Sequence, residues 1–155
     1  MEDIAAYEFR YARRGDLEAI LALLADDPLG AGREDPIGAM AAYEAAFENI
    51  GNDPNNDIAV AARAGAVVGC LQLTLIPSLS RRAMTRAQIE SVRVAASERG
   101  RGLGRRLFEW AIGESRRRGA GLVQLTTDKT RPDALRFYQG LGFVASHEGM
   151  KLPLA

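Results

Sequence analysis

A glycine-rich turn, Arg99-Gly100-Arg101-Gly102-Leu103-Gly104, follows a β-branched run ending Val92-Arg93-Val94 and opens directly into a long amphipathic segment. A strand that feeds a helix through such a turn constrains the fold more than any other stretch of this chain. Glycine adopts backbone conformations that other residues reach only at a cost, and it lets the main chain approach a ligand closely. The first helical amides then point outward with the positive end of the helix dipole behind them, an arrangement that holds phosphate. Arg99 and Arg101 add fixed positive charge to the same turn. The stretch reads as an anion cradle.

Around it the chain alternates strands and helices, with neither a linker nor a repeat. Tyr7 to Ala12 reads as a strand, and Asp16 as the N-cap of a helix striped by Leu17, Ile20, Leu21 and Leu24. Residues 26–36 are rich in turn formers, and a second helix is predicted from Pro36 to about Asn49. Ile58 to Arg63 and Val67 to Ile76 read as a hairpin turning at Ala64-Gly65-Ala66, and a fourth strand is predicted from Ala87 to Val94. Beyond the cradle, Leu103, Leu107, Trp110 and Ala111 make one helical face that Gly119 ends. Leu122 to Thr127 is predicted as a buried strand, Pro132 as the first turn of a helix striped by Ala134, Phe137, Tyr138 and Leu141, and Phe143 to Leu152 as one or two closing strands. The interleaving predicts an α/β fold, a mixed sheet with helices on both faces.

The fourth strand breaks its own alternation. In AQIESVRV a strict period of two puts Ile89 and Ser91 on one face but Val92 and Val94 on the other. A β-bulge near Ser91 repairs the pattern and splays the strand from its neighbour. The exposed backbone groups could then pair with an extended ligand as with another strand. The alternative is a strand buried on both faces.

Composition narrows the partners. Hydrophobic residues make up 47% and charged residues 26% of the 155 residues, an ordinary globular balance for one domain, 1–155. Lys+Arg and Asp+Glu are both 20, so no global field argues for nucleic acid or a membrane surface. Cys70 is the only cysteine, which excludes an internal disulfide and a cysteine-based metal site, and its apolar surroundings predict an inert thiol. The start of the chain lacks the pattern of a secretory leader and no stretch is long enough to span a bilayer, so a cytoplasmic protein is expected.

The segment from Glu90 to Phe143 resembles the Gcn5-related N-acetyltransferase (GNAT) family in two signatures. One is the Arg99–Gly104 turn; the other is Ala134-Leu135-Arg136-Phe137-Tyr138-Gln139-Gly140-Leu141-Gly142-Phe143, with the family's alanine, phenylalanine-tyrosine and glycine-phenylalanine spacing. A Rossmann turn would space its glycines as G-x-G-x-x-G, and a P-loop would need Gly-Lys-Ser/Thr, which this chain lacks. The resemblance implies a GNAT-like fold with a six- to seven-stranded central sheet and splayed parallel strands four and five. It implies acetyl-coenzyme A as co-substrate, without a metal. Arg99, Gly100 and the amides of Arg101, Gly102, Leu103, Gly104 and Arg105 would hold its pyrophosphate. Its pantetheine arm would pair with Val92, Arg93 and Val94, and an amide of Val92 or Val94 would serve as oxyanion donor. Phe137 would pack its helix against the sheet among the coenzyme-binding residues.

The same resemblance assigns chemistry. An ammonium has no lone pair with which to attack, so transfer to an amine needs a base, and Glu90 stands in the region where the family often uses a glutamate. Its alternative is an ordinary strand carboxylate. Tyr138 matches the tyrosine that protonates the leaving sulfur; the alternative is an aromatic that packs its helix. Many relatives carry asparagine where Asp128 and Arg131 lie here, and His147, the only histidine, reads as a surface residue. Acidic residues in the 26–36 loop (Asp26, Asp27, Glu34, Asp35) and arginines in the 77–86 connection (Arg81, Arg82, Arg86) are candidates for reading a small amine with an anionic group; the alternative for each is a solvated loop charge with no role. The expected function is N-acetylation of a primary amine on a small or amino-acid-like molecule, by direct attack in a ternary complex. The alternatives are a peptide or protein amine as acceptor, a non-catalytic acyl-coenzyme A sensor, and nucleic-acid binding through the arginine loops. A homodimer is compatible with the pattern.

Overall fold

Tyr7, Phe9 and Tyr11 share one face of the first strand, β1 (Tyr7–Tyr11), while Glu8 and Arg10 take the other. A computed structural model describes residues 6–155, which form two units, one reaching Gln124 and one running from Leu125 to Ala155. The first unit contains the sheet: β1, β2 (Asn56–Arg63), β3 (Ala66–Ile76), β4 (Arg86–Val94) and β5 (Leu122–Gln124), paired in chain order. Neighbours are antiparallel except β4 and β5, which are parallel. The β2–β3 hairpin turns through Ala64 (φ 49°) and Gly65 (φ 81°), the two left-handed residues that a tight hairpin of this twist requires.

Each sheet face has its own cover. Val60 and Cys70 are buried against Ile20 and Leu23 of α1 (Leu17–Ala25), with Phe47 of α2 (Met40–Asn52) packed beside them. The opposite face carries Ala59, Ala61, Leu71, Leu73 and Ile89, and α4 (Leu103–Arg117) lies over it with Leu103, Leu107, Phe108 and Ala111 buried. One α4 row also grips β1. Arg106 stacks its guanidinium 5.3 Å from the Tyr7 ring centroid and 5.4 Å from that of Phe9, and Trp110 meets Tyr11 edge-on at 5.5 Å.

At the end of this row Tyr11 Oη donates to Glu114 Oε2 at 2.5 Å, and Arg117 Nη2 donates to the same oxygen at 2.7 Å. The Arg117 hydrogen bond, with the Tyr11 bond next, holds the Glu114 carboxyl down from 4.5 to about 2. The unfolded chain binds that proton more readily, so Glu114 stabilises the fold fully above about pH 4.5 and loses this effect as pH falls toward 2. Thermal unfolding scanned across that window should show Glu114→Gln with a flatter fall in Tm than the parent; parallel curves would mean the carboxylate contributes nothing.

Several elements depart from the sequence reading. The second helix starts at Met40 rather than Pro36, and Asp16 does not cap α1 but accepts from Arg10 (2.7 and 3.0 Å) and from the Arg13 amide (2.7 Å). The expected buried strand 122–127 shrinks to three residues, with Leu122 36% exposed. In the second unit, α5 (Pro132–Gly140) forms as predicted, but residues 143–152 form no strand, and Val144, Met150 and Leu152 are exposed. The described residues therefore contain five strands, not six or seven. Extended chain counts as strand only where a ladder satisfies its backbone, and alternation alone supplies no ladder.

The connection before β4 also holds a surprise. Ser80–Ala83 (α3) is a helical turn in which Arg81, Arg82 and Ala83 all have φ of 53–60°. Left-handed turns cost L-residues roughly 1–2 kcal/mol each, so the surroundings must hold this one in place. Ser78 Oγ donates to Met84 O at 2.7 Å and closes the loop. Among the described residues no helix is long and apolar enough to cross a membrane.

Candidate active site

Ser91 is the hinge of the site. Cys70 pairs with Arg93 and Gln72 with Glu90, so Leu71 alone faces both Ser91 and Val92. The extra residue is accommodated by Ser91 in the left-handed region at φ 53°, a bulge at the position where the side-chain alternation demanded one. On the other edge of β4, pairing with β5 covers only Arg86, Ala87 and Gln88. The Ala95 amide donates to Val68 O on β3 at 2.8 Å, so by alternation the amides of Val94 and Val92 point away from β3. Their carbonyls are held by side chains: Arg93 Nη1 donates to Val92 O at 2.9 Å and Arg99 Nε to Val94 O at 3.3 Å.

The cradle follows at once. Gly100 (φ 77°) and Gly102 (φ 78°) are both left-handed, and a Cβ on either would meet nothing within 4 Å. Backbone conformation, not crowding, demands glycine here, and the space beside the turn is open. Beyond Gly102 the first helical bond runs from the Arg106 amide to Gly102 O, so the amides of Leu103 and Gly104 have no intrahelical acceptor. Arg99, Arg101 and Arg105 are exposed around them. Amides and guanidinium groups of this kind suit a polyphosphate.

Glu98, which sequence reasoning overlooked, fastens the turn to the sheet. It is 6% exposed, accepts from the Tyr7 hydroxyl, and accepts from Arg63 Nη1 at 3.1 Å. The Tyr7 bond, and then Arg63, hold its carboxyl below the usual range. A carboxylate just before a glycine turn, opposite a strand with Tyr and Arg, was the available signal.

The acidic loop proves to be tied inward. Asp27 Oδ2 lies 2.8 Å from Arg93 Nε and Oδ1 accepts the Gly30 amide at 2.6 Å; Asp26 lies 3.9 Å from Arg99. Glu34 accepts from Tyr43 Oη at 2.7 Å, and Asp35 accepts the Gly38 amide at 2.9 Å. These carboxylates order the loop and pin it to the end of β4.

Glu90 stands one residue before the bulge, exposed, on the sheet face that bears Cys70 and Val60. A row of polar side chains crosses that face. Thr74 Oγ1 donates to Asn56 Oδ1 at 2.6 Å, Gln124 Nε2 to Gln88 Oε1 at 2.9 Å, and Gln88 Nε2 to Glu90 Oε1 at 2.7 Å. Gln124 fixes which way the Gln88 amide points, and Gln88 in turn orients the Glu90 carboxylate. Period-two polarity in Gln72-x-Thr74 and Gln88-x-Glu90 was the signal for this row. Cys70, 2% exposed, has its thiol pushed up to about 12 by burial, so it is not a nucleophile.

In the second unit, Tyr138 lies on α5 between two rings, edge-on to Phe137 at 5.5 Å and to Phe143 at 6.1 Å. Phe137 is 37% exposed. Asp128 accepts from the Thr130 amide and hydroxyl at 2.8 and 2.7 Å, shaping the turn into α5, and these bonds hold its carboxyl below the usual range. His147 is exposed, 2.7 Å from Ser146 Oγ.

A mixed sheet whose one parallel pair among the described residues spans three residues, beside a left-handed glycine turn heading a helix, defines the GNAT class of fold. The chain belongs to the Acetyltransferase (GNAT) family, whose pattern matches residues 17–143. It is 38% identical over 95 residues to the aminoalkylphosphonate N-acetyltransferase of Salmonella typhimurium strain LT2, a match spanning 61% of this chain and 61% of that protein. Among solved structures it is similar to a transcriptional regulator from Bacillus halodurans C-125, with 47% identity, a TM-score of 0.91, and coverage of 96% of this chain and 99% of that one. It also shares its fold with glucosamine-6-phosphate N-acetyltransferase from Arabidopsis thaliana, at 18% identity, a TM-score of 0.78, and coverage of 96% and 99%.

Proposed function

We propose that the protein is an acetyl-coenzyme A-dependent N-acetyltransferase for a primary amine on a small molecule, with direct attack in a ternary complex. The observation that carries this reading is the junction of β4 and α4. Amides of Val92 and Val94, facing away from β3 and without a partner among the described residues, run straight into a left-handed glycine turn whose first helical amides have no intrahelical acceptor. One part suits an extended amide-bearing arm, the other its phosphates. In this reading Arg99, Gly100, Arg101, Gly102, Leu103, Gly104 and Arg105 hold the pyrophosphate, and Val92, Arg93 and Val94 line the arm. A Val92 or Val94 amide donates to the oxygen that gains charge during attack. Glu90 removes the proton of the attacking amine, and Tyr138, with Phe137 beside it, belongs to the leaving sulfur. The Salmonella relative, named for an aminoalkylphosphonate, supports a small amine over a protein tail.

The test is a screen of small amines and a peptide amine, followed by release of free coenzyme thiol; the buried Cys70 adds no signal to that readout. Turnover of small amines supports the reading, and robust acetylation of the peptide alone would overturn the acceptor class. Tyr138→Phe should lower kcat by about tenfold or more. An unchanged kcat with the best acceptor would remove Tyr138 from the chemistry.

The regulator name of the Bacillus relative suggests a second reading, coenzyme sensing without turnover. That reading predicts coenzyme binding with no acceptor in the screen. A nucleic-acid role has less support: Arg10, Arg63, Arg93, Arg117 and Arg118 are each neutralised by a carboxylate.

A further inference from the structure

Arg86 opens β4 with its Nε buried and without a hydrogen-bond partner, and among the described residues its side chain makes no ion pair. Other half-buried arginines of the sheet and its helices have partners: Arg10 meets Asp16, Arg93 meets Asp27, Arg118 meets Asp57, and Arg106 stacks on Tyr7 and Phe9. A guanidinium does not shed its proton, so a half-buried one whose Nε is cut off from water with no counter-charge beside it favours an anion there. Its neighbours across the sheet supply none. Ile76 is opposite on β3 and Leu122 opposite on β5.

The register places this cation usefully. Arg86, Gln88 and Glu90 alternate along one strand and therefore share one face, the face of the polar row. Four strand residues separate the Cα atoms of Arg86 and Glu90 by about 13 Å. Between them Gln88 is already engaged by Gln124 and Glu90. A fixed cation at one end, a carboxylate at the other and an amide floor between make a site with two poles.

We propose that Arg86 is the anion-binding pole of the acceptor site, so that the substrate class is a short primary amine bearing a carboxylate, phosphonate or phosphate. This inference rests on the acetyltransferase reading and on Glu90 as the amine pole. The guanidinium holds the acid end through charge-assisted hydrogen bonds and aims the amine along the strand at Glu90. Arg81 and Arg82, on the left-handed turn, are outside this strand; only Arg86 of the three connection arginines enters β4.

The experiment compares aminoethylphosphonate, β-alanine and propylamine as acceptors for the parent, Arg86→Gln and Arg86→Lys, with binding of aminoethylphosphonate measured separately by calorimetry. The parent should prefer an anionic acceptor over propylamine. In Arg86→Gln that preference should collapse through a rise in KM of roughly ten- to hundredfold, and Arg86→Lys should recover part of it. Whether aminoethylphosphonate or β-alanine shows the larger effect identifies the acid. Equal loss on all three acceptors, or no preference in the parent, would overturn the proposal while leaving the acetyltransferase reading intact. Arg86-dependent binding of aminoethylphosphonate without turnover of any amine would uphold the anion pole and overturn the enzymatic reading. Should Arg86→Gln fail to fold, ethylphosphonate on the parent decides: inhibition competitive with aminoethylphosphonate is expected, and none would sink the proposal.

Discussion

Gly102→Glu should abolish detectable binding of acetyl-coenzyme A in a calorimetric titration, a loss of about a hundredfold or more. Two effects act together. Gly102 sits at φ 78°, where any other L-residue is strained by roughly 1–2 kcal/mol. The new carboxylate also meets the phosphates at the head of α4, replacing charge-assisted bonds worth about 1.5–3 kcal/mol with repulsion. Two companions separate the causes. Gly102→Ala carries the backbone strain without charge and should weaken binding only modestly. Gly104→Glu lies within the regular first turn of α4, so it carries the charge without the left-handed backbone strain. A carboxylate there favours the helix dipole, which keeps the protein folded while binding is lost. Parent-like affinity in Gly104→Glu would place the phosphates elsewhere and take the coenzyme assignment with it.

Glu90→Gln should lower kcat by roughly two to four orders of magnitude, the range set by removing a general base, while leaving the affinity for acetyl-coenzyme A unchanged. The substitution is close to isosteric. Gln88 Nε2 now donates to Glu90 Oε1 at 2.7 Å, and a glutamine oxygen accepts the same bond, so the polar row persists. The diagnostic is the pH profile. With the base removed, the residual rate should climb with pH as solution deprotonates the amine itself, approaching the parent only at the alkaline end. A variant within about twofold of the parent at every pH would show that Glu90 serves the strand and not the chemistry.

The bulge shows what side-chain order can and cannot reveal. Ile89-Glu90-Ser91-Val92 violates alternation, and one inserted residue restores it, so the hinge was readable without coordinates. Its consequence was not. That β5 pairs with only Arg86, Ala87 and Gln88 follows from where two strands separated by α4 come to lie, a non-local quantity. The glycine turn was readable for the same local reason: Gly100 and Gly102 occupy conformations that tolerate little else.

Charge was harder to interpret. Asp26, Asp27, Glu34 and Asp35 looked free to attract a cationic substrate, yet each finds a partner that only folding supplies: arginines of β4 and of the turn, a tyrosine of α2, a nearby amide. Glu98 drew no notice and turned out to be buried against Tyr7 and Arg63. Arg86 looked like one more loop arginine and, among the described residues, is the sheet arginine left without a carboxylate. A charge in sequence carries no record of its counter-ion. The closing strands expected in 143–152 failed similarly, because a strand is defined by its ladder.

The sequence by itself determined the left-handed glycine turn, the bulge, the helices that carry apolar stripes and the family, since each depends on backbone preference or on spacing within one element. Only the tertiary structure decided which carboxylates are spent on holding loops, which glutamate is oriented by Gln88 and Gln124, and that Arg86 and Glu90 share one face. Those are relations between elements distant in the chain, and they come into being only when burial and pairing bring the elements together.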